Sequence, residues 1–405
     1  MEKPDFEPFG APRARPDLLL IAGEHSGDEH AGAAVKKLKQ LQPNLEIAAL
    51  GGPNLEKAGA DLLCDMTRWS IVGLVEVVRH YGFFRRLFAE TLRWIEAHRP
   101  RVICLVDYPG FNLRLADELK RRGLSRAGGG EIRVVFYISP QIWAWKAGRR
   151  FKMAESLDEL GVIFPFEVDF YRDTTLKTRF LGHPFTAADF ELGLEYDPGG
   201  PILLLPGSRR GPVQRIFPVL LNAYAHWARS KPEAGRRPAV VRCADDRVRE
   251  VIESLIKQFS KEGLDTDRLI YLDGKEGEVR AAAVLTSSGT MSLKCALAGV
   301  PGAIVYRTHP LTFSLGKRLV KVRWLGIANI LLDRPVYPEY LQGAAKPEML
   351  ATELDVCLND SRRREETRIC ASELWSMLAA ESNLDPAEWL GGHLSDDLRV
   401  LRSVE

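Results

Sequence analysis

Ile202-Leu203-Leu204-Leu205-Pro206-Gly207-Ser208-Arg209-Arg210-Gly211-Pro212 and Val284-Leu285-Thr286-Ser287-Ser288-Gly289-Thr290 decide how this chain is read. In each, an apolar strand runs into a small, hydroxyl-bearing turn that contains glycine. Such a turn lets the backbone approach an anion closely and offer it N–H groups. Arg209 adds a permanent positive charge beside the first turn. Two turns of this kind on neighbouring strand ends make a diphosphate cradle of Gly207, Ser208, Arg209, Ser288, Gly289 and Thr290, and they point to a nucleotide-sugar enzyme rather than an ordinary metabolite binder.

Outward from this pair, strand-like runs at 202–205, 239–243, 268–272, 283–286 and 302–306 alternate with helical segments at 216–230 and 248–261. The same alternation occupies the first part of the chain, with strands expected at 17–22, 46–50, 101–106, 131–138 and 159–164 and amphipathic segments at 31–41 and 84–97. Nearly continuous apolar strands separated by helices mean a parallel sheet covered on both faces. The break at 182–201, bracketed by His183-Pro184 and Pro198-Gly199-Gly200-Pro201, separates the halves. The fold class is therefore α/β, with two doubly wound parallel-sheet domains, 1–185 and 200–345, and a cleft between them. A helical tail, 346–405, follows, with helices at 348–358 and 362–380. Gly128-Gly129-Gly130 reads as a flexible loop before a strand.

The chain has 405 residues, more than one hydrophobic core usually serves, and 45% of them are apolar, so two domains have ample core material. Its 56 Lys and Arg nearly balance 54 Asp and Glu, which gives no global reason to expect a nucleic-acid partner. The six cysteines form no CxxC pair and sit beside apolar residues, as reduced thiols of a cytoplasmic protein do. Residues 1–16 lack the apolar core of a secretory signal. No apolar run approaches the ~20 residues of a membrane span, so a soluble or peripheral protein is expected.

The loop after the first strand, Gly23-Glu24-His25-Ser26-Gly27-Asp28, lies at the carboxyl end of that strand and opens a helix, where open α/β sheets bind ligands. It is not GxGxxG, and Glu24 and Asp28 would repel a phosphate, so a sugar hydroxyl suits Glu24, Ser26, Gly27 and Asp28 better. A tight turn with an Asp cap is the alternative. After the third strand comes Asp107-Tyr108-Pro109-Gly110-Phe111-Asn112. A carboxylate at Asp107, partly buried and so made more basic, would take a proton from an alcohol. Capping of the next helix explains Asp107 equally well.

Ser139, Gln141, Trp143 and Trp145 can build an aromatic, hydrogen-bonding wall for a sugar or acyl chain, with Lys146, Arg149 and Arg150 meeting an anionic headgroup. Paired tryptophans in a core are the alternative. The apolar, aromatic and basic stretch 69–88 suits the headgroup boundary of a bilayer, or else a buried helix ending in a basic turn. Asp265-Thr266-Asp267 spells an acid-x-acid string in a polar connection, where solvated acids are the expected reading, and the eight histidines show no ligand spacing; no metal is expected. There is no GxSxG elbow either.

In order along the chain, Gly23 to Asp28, Val72-Gly73-Leu74-Val75-Glu76-Val77, Asp107 to Asn112, Ser139 to Trp145, Phe164-Pro165-Phe166-Glu167, Leu205 to Arg209, Ser288-Gly289-Thr290 and Lys317-Arg318-Leu319-Val320-Lys321 resemble the lipid-A-disaccharide synthase family. The resemblance runs from about Leu18 to Gln342. It implies the GT-B architecture of two Rossmann-like domains and an inverting glycosyltransferase without metal or other cofactor. It further implies a UDP-2,3-diacylglucosamine donor, a 2,3-diacylglucosamine 1-phosphate acceptor expected at Glu24, Ser26, Gly27, Asp28, Asn112, Ser139, Gln141, Trp143 and Trp145, and a β-1,6 disaccharide product released with UDP. Its setting would be the cytoplasmic side of a Gram-negative-type inner membrane, as a peripheral enzyme; a homodimer is left open.

By the same resemblance Asp107 is the general base, Arg209 neutralises the leaving diphosphate, Asn329 and Gln342 lie in the nucleotide-contacting stretch, and the last helices return to the first domain. Four positions depart from the family pattern. Lys294 stands where the family has a ribose-binding glutamate, Pro212 follows the Ser208-Arg209 turn in place of the usual Glu-Val, Ala328 precedes Asn329, and Gly110 replaces an acid. Lys294 is electrostatically at home beside a phosphate. Two other readings remain: another UDP-sugar enzyme on this fold, such as a UDP-N-acetylglucosamine 2-epimerase, and a catalytically silent lipid- or nucleotide-binding paralogue.

Overall fold

The structure, a computed structural model, describes residues 6–12, 14–69, 81–188, 190–232, 237–243, 245–263, 269–273, 279–309, 313, 322–379 and 384–402. It forms two compact units, 1–184 with 378–405, and 185–377.

In the first unit, β1 (Leu18–Ala22), β2 (Ile47–Gly51), β3 (Asp61–Asp65), β4 (Val102–Val106), β5 (Arg133–Tyr137), β6 (Glu159–Val162) and β7 (Lys177–Phe180) form one sheet in the order β3-β2-β1-β4-β5-β6-β7. Every pairing is parallel. The strand period of two places Leu19 and Ile21 in one core and Leu18, Leu20 and Ala22 in the other, so both faces are covered. The edge strands β3 and β7 lie outside the runs expected from sequence. Their residues are at most half-buried, and an edge strand carries no continuous apolar run to betray it.

Helices α1 (His25–Leu41), α2 (Pro53–Lys57), α3 (Tyr81–His98), α4 (Pro109–Arg121), α5 (Ile142–Trp145), α6 (Arg149–Ser156) and α7 (Phe166–Phe170) connect these strands. The glycine run is not a loose loop. A Cβ on Gly128 would lie 2.2 Å from the Lys120 carbonyl oxygen, and one on Gly130 would lie 2.2 Å from that of Leu124, so close backbone packing selects glycine there.

In the second unit, β9 (Ile202–Leu205), β10 (Ala239–Cys243), β11 (Leu269–Asp273), β13 (Ala283–Ser287), β14 (Gly302–Tyr306) and β15 (Glu339–Leu341) pair in the order β11-β10-β9-β13-β14-β15, again all parallel. A separate parallel pair joins β8 (Leu194–Tyr196) to β12 (Val279–Ala281). Helices α8 (Arg210–Arg229), α9 (Asp246–Lys261), α10 (Thr290–Leu297) and α11 (Ile327–Leu332) accompany this sheet.

The tail expected from 346 onward divides. Helix α12 (Pro347–Asn359) puts Leu350 and Leu354 into the second unit's core, and α13 (Ser361–Leu378) stays with that unit up to Met377. Only α14 (Pro386–Arg402) belongs with the first unit, where Trp389 enters the core and its Nε1 donates to Glu159 Oε1 at 2.9 Å. Arg101 Nη2 donates to the Leu394 carbonyl at 2.7 Å and Lys37 pairs with Asp385, fixing the helix at its start and at its middle.

Candidate active site

Each sheet has one place where neighbouring strands feed helices that diverge to opposite sides, the position at which open α/β sheets bind ligands. In the first unit it lies between β1 and β4, paired from Leu18↔Val102 to Ala22↔Val106. The loops leaving these strands carry Gly23-Glu24 and Asp107-Tyr108. A Cβ on Gly23 would sit 2.3 Å from the Tyr108 ring, so only glycine allows the two loops this approach.

Asp107 and Tyr108 hold φ values of 44° and 47°, left-handed backbone that costs about 1–3 kcal/mol for residues with a Cβ. The surrounding bonds enforce it. Asp107 N donates to the Tyr137 carbonyl at 3.0 Å, and Asn112 Nδ2 donates to the carbonyls of Asp107 (2.8 Å), Val106 (3.2 Å) and Ile21 (3.2 Å). Asn112, expected to touch the acceptor, is thus buried as the clasp of both strand ends. Helix α4 starts behind Tyr108 without a side-chain cap. Burial, reinforced by the nearby Glu24 carboxylate and opposed by the Tyr108 N–H, pushes the Asp107 carboxyl up to about 7. A carboxyl so placed exchanges a proton near neutrality.

Asp28 has other work. Fully buried, it accepts from the N–H groups of Gly52 (2.7 Å), Asn54 (2.9 Å) and Leu55 (3.2 Å) and from Asn54 Nδ2 (2.9 Å), which pins the start of α2. Of that loop, Glu24 is half-buried and Ser26 exposed, whereas Gly27 lies buried against Val106.

The loop after β5 adjoins the Asp107 loop through the Asp107–Tyr137 bond. It begins at Ile138, whose φ of 66° is an outlier for a β-branched residue. Ser139 is buried, with Oγ 2.9 Å from the Tyr171 hydroxyl; Gln141 is exposed; Trp143 is half-buried; Trp145 is 48% exposed under Lys146 Nζ, 4.0 Å from the ring centroid. Arg150 is engaged by Asp173 and by the Ala147 carbonyl, so of the three cations expected to meet an anion it is held within the fold.

Glu167 is not among the site residues singled out from sequence. It is buried beneath this loop, accepting from Trp143 Nε1 at 3.1 Å and Phe164 N at 3.2 Å, and burial pushes its carboxyl up to about 8. The available signal was an acid set among Phe164, Pro165 and Phe166.

In the second unit the corresponding position lies between β9 and β13, paired from Ile202↔Ala283 to Leu205↔Thr286. Here glycine supplies the unusual backbone: Gly207 at φ 111° and Gly289 at φ 148°. A Cβ on Gly207 would sit 3.2 Å from Ser287 Oγ, so the two turns touch. Arg209 is the extended residue at which α8 begins, Gly289 holds that position for α10, and Ser208, Arg209, Gly289 and Thr290 are exposed. Two helix N-termini, their N–H groups free of intrahelical acceptors, therefore meet beside Arg209, an arrangement that can receive an anion.

Lys294 lies one helical turn beyond Thr290. Its ammonium sits 4.7 Å and 4.8 Å from the ring centroids of Phe185 and Phe190, which stack 5.0 Å apart. Asn329 and Gln342 are committed to the fold. Asn329 Nδ2 donates to the Tyr337 carbonyl (2.7 Å) and Glu339 Oε1 (2.9 Å) while Oδ1 accepts from Tyr337 N (2.9 Å). The Gln342 amide pairs in both directions with the Thr308 backbone at 3.2 Å.

Of the stretch 69–88, residues 70–80 lie outside the described residues, as do Asp265-Thr266-Asp267 and the Lys317 to Lys321 motif. Where α3 is described, Phe83 and Leu87 point into the core and Arg85 and Arg86 outward, the pattern of a buried helix face. No described helix is long and apolar enough to cross a membrane. Among the described residues no group of three His, Cys, Asp or Glu is placed to hold a metal ion.

Residues 18–387 match the family model of lipid-A-disaccharide synthetase. The chain is 35% identical over 369 residues to a lipid-A-disaccharide synthase of Geobacter metallireducens, covering 88% of this chain and 91% of the relative. It is 36% identical over 340 residues to lipid-A-disaccharide synthase 1 of Legionella pneumophila, covering 80% and 83%. Among solved structures it is similar to the calicheamicin glycosyltransferase CalG4 (TM-score 0.55, 14% identity, 94% of this chain and 99% of that one). It is also similar to a UDP-N-acetylglucosamine 2-epimerase of Listeria monocytogenes described as putative (TM-score 0.56, 11% identity, 96% of each chain). At such identities these neighbours establish the fold, GT-B with its twin Rossmann-like sheets, and transferases and epimerases share it. The family match and the identities to its members carry the distinction: this chain belongs to the lipid-A-disaccharide synthetase family.

Proposed function

We propose that the protein joins UDP-2,3-diacylglucosamine to 2,3-diacylglucosamine 1-phosphate, working as a peripheral enzyme at the cytoplasmic face of an inner membrane. The observation that carries this reading is the family match across 18–387, which includes both the acid at Asp107 and the anion cradle at Gly207–Arg209. Asp107 takes the proton from the acceptor's 6-hydroxyl as that oxygen forms a bond to the donor's anomeric carbon. The bond from that carbon to the diphosphate oxygen breaks on the opposite face, its electron pair leaves with UDP, and the new linkage is β. Arg209 and the N–H groups of the Ser288–Thr290 turn stabilise the charge developing on the diphosphate. A carboxyl near neutrality supports the base role because it accepts a proton without being a weak base.

The test is to incubate the full chain with both acylated sugars and follow the products by mass spectrometry. Disaccharide 1-phosphate and UDP in equal amounts are expected. Turnover of soluble UDP-N-acetylglucosamine without an acceptor would favour the epimerase reading. UDP binding with no turnover, restored to turnover by Lys294→Glu, would favour the silent paralogue, a reading motivated by the aromatic seat of Lys294.

A further inference from the structure

We infer that Glu167 is a positioning residue for the acceptor: from beneath the sheet's carboxyl edge it holds Trp143, and with it the segment Ser139–Lys146, in the geometry that receives the sugar beside Asp107. This rests on the acceptor-side role proposed for that segment.

Three observations converge. Glu167 is 1% exposed, and its oxygens receive neutral donors: the Trp143 indole N–H and the Phe164 backbone N–H, with Ser139 also donating. A buried carboxyl in that setting costs stability unless its geometry is useful, because desolvation is not repaid by an opposite charge. The cluster also continues in both directions. Phe166 meets the Trp143 ring edge-on at 5.1 Å and stacks on Phe164 at 5.8 Å, while Ser139 Oγ lies 2.9 Å from Tyr171 OH. Finally, the segment it fixes has little regular structure of its own. Between Ile138 in left-handed backbone and the one-turn α5, the Trp143 indole and the Ser139 hydroxyl tie it down to the α7 layer.

With its proton retained up to about pH 8, Glu167 is a neutral hydrogen-bonding group under ordinary conditions; both of its oxygens accept here, one from Trp143 Nε1 and the other from Phe164 N, so an amide, with a single acceptor oxygen, replaces it only in part. The nearby charged groups do not change this: Tyr171 is itself pushed upward by burial, and Arg150 is paired with Asp173.

The experiment compares Glu167→Ala and Glu167→Gln in the full chain. Expected for Glu167→Ala is a rise of about tenfold in KM for the acylated acceptor with donor KM unchanged, and for Glu167→Gln, which keeps one of the two accepted bonds, a smaller rise of about threefold. Amide hydrogen exchange across 139–146 should quicken most in the Ala variant and less in the Gln variant, a readout that needs no turnover. Equal changes in donor and acceptor KM, a Gln variant as impaired as Ala, or unchanged exchange in both would overturn the inference. Should Glu167→Ala fail to fold, Trp143→Phe removes the donated N–H while keeping a ring, and unaltered acceptor KM and exchange in that variant would overturn it equally. A wild-type chain that makes no disaccharide defeats the proposed function instead, and the exchange comparison still decides the role of Glu167.

Discussion

The β1–β4 and β9–β13 ends share one topology and differ in almost everything chemical. At the first, left-handed backbone is carried by Asp107 and Tyr108, residues with side chains to place, and the strain is contained by the three-way Asn112 clasp. At the second it is carried by Gly207 and Gly289, which have none, and the turns stay open to solvent. Strain that positions a carboxyl makes a base; freedom that bares N–H groups makes an anion seat. The fold supplies two equivalent ledges, and in the proposed function the turn residues decide that one handles a proton and the other a phosphate.

The largest effect should come from Asp107. Asp107→Asn keeps the shape and removes the proton acceptor, so kcat should fall by about 10²–10⁴-fold with both KM values little changed. In the wild type, kcat/KM should rise about tenfold per pH unit below the pKa of about 7 and level off above it, since the base works only when deprotonated. Activity independent of pH between 5.5 and 8, or an active Asn variant, would remove the base from the first ledge. Arg209→Ala comes next, with an expected loss of about 10²–10³-fold in kcat. Arg209→Lys should recover only part, because an ammonium cannot reproduce the planar fork on a diphosphate. Full activity in the Ala variant would show that the N–H groups suffice.

Gly207→Ala probes the second ledge through its backbone. The substitution puts a side chain at φ 111° and a Cβ 3.2 Å from Ser287 Oγ, so the turn must shift at a cost of about 1–3 kcal/mol. Donor KM should rise roughly tenfold while acceptor KM holds; an unchanged donor KM would mean that the turn does not touch the donor.

Much of this contrast was legible in the letters. Central strands announce themselves as apolar runs, and turns of Gly, Ser and Arg after such runs name their chemistry. Edge strands such as Lys177–Phe180, polar on their open side, do not. Nor does a lone sequence say whether a polar residue faces a ligand or a distant piece of its own fold. Asp28, Asn112, Asn329 and Gln342 all sit in suggestive places, yet each has backbone partners elsewhere in the chain that occupy it. The tail was legible only in part for a related reason: an amphipathic helix shows that it covers a core without showing which, and of the helices expected to return to the first unit only α14 joins it.

The smallest effect sharpens the comparison most, because it asks whether the first ledge is maintained against stability. Moving the Asp107 carboxyl from its ordinary 3.8 to about 7 means that, between those values, the folded protein holds a proton that the unfolded chain has released. Stability must then fall as pH rises through that window, and the whole cost is present by pH 8. Asn does not titrate, so Asp107→Asn should match the wild type near pH 4 and become the more stable protein by pH 8. The gain should be about 1–2 kcal/mol, below the ~4 kcal/mol of a fully enclosed carboxyl shifted as far, because the loop is only partly buried. Denaturant midpoints of the two proteins at pH 4 and pH 8 measure it. A substitution that abolishes turnover while raising the alkaline midpoint would mark Asp107 as a group kept for chemistry at the expense of the fold. A midpoint gap that is constant across pH would instead mean that the carboxyl is ionised throughout, and that its burial does not make it a base.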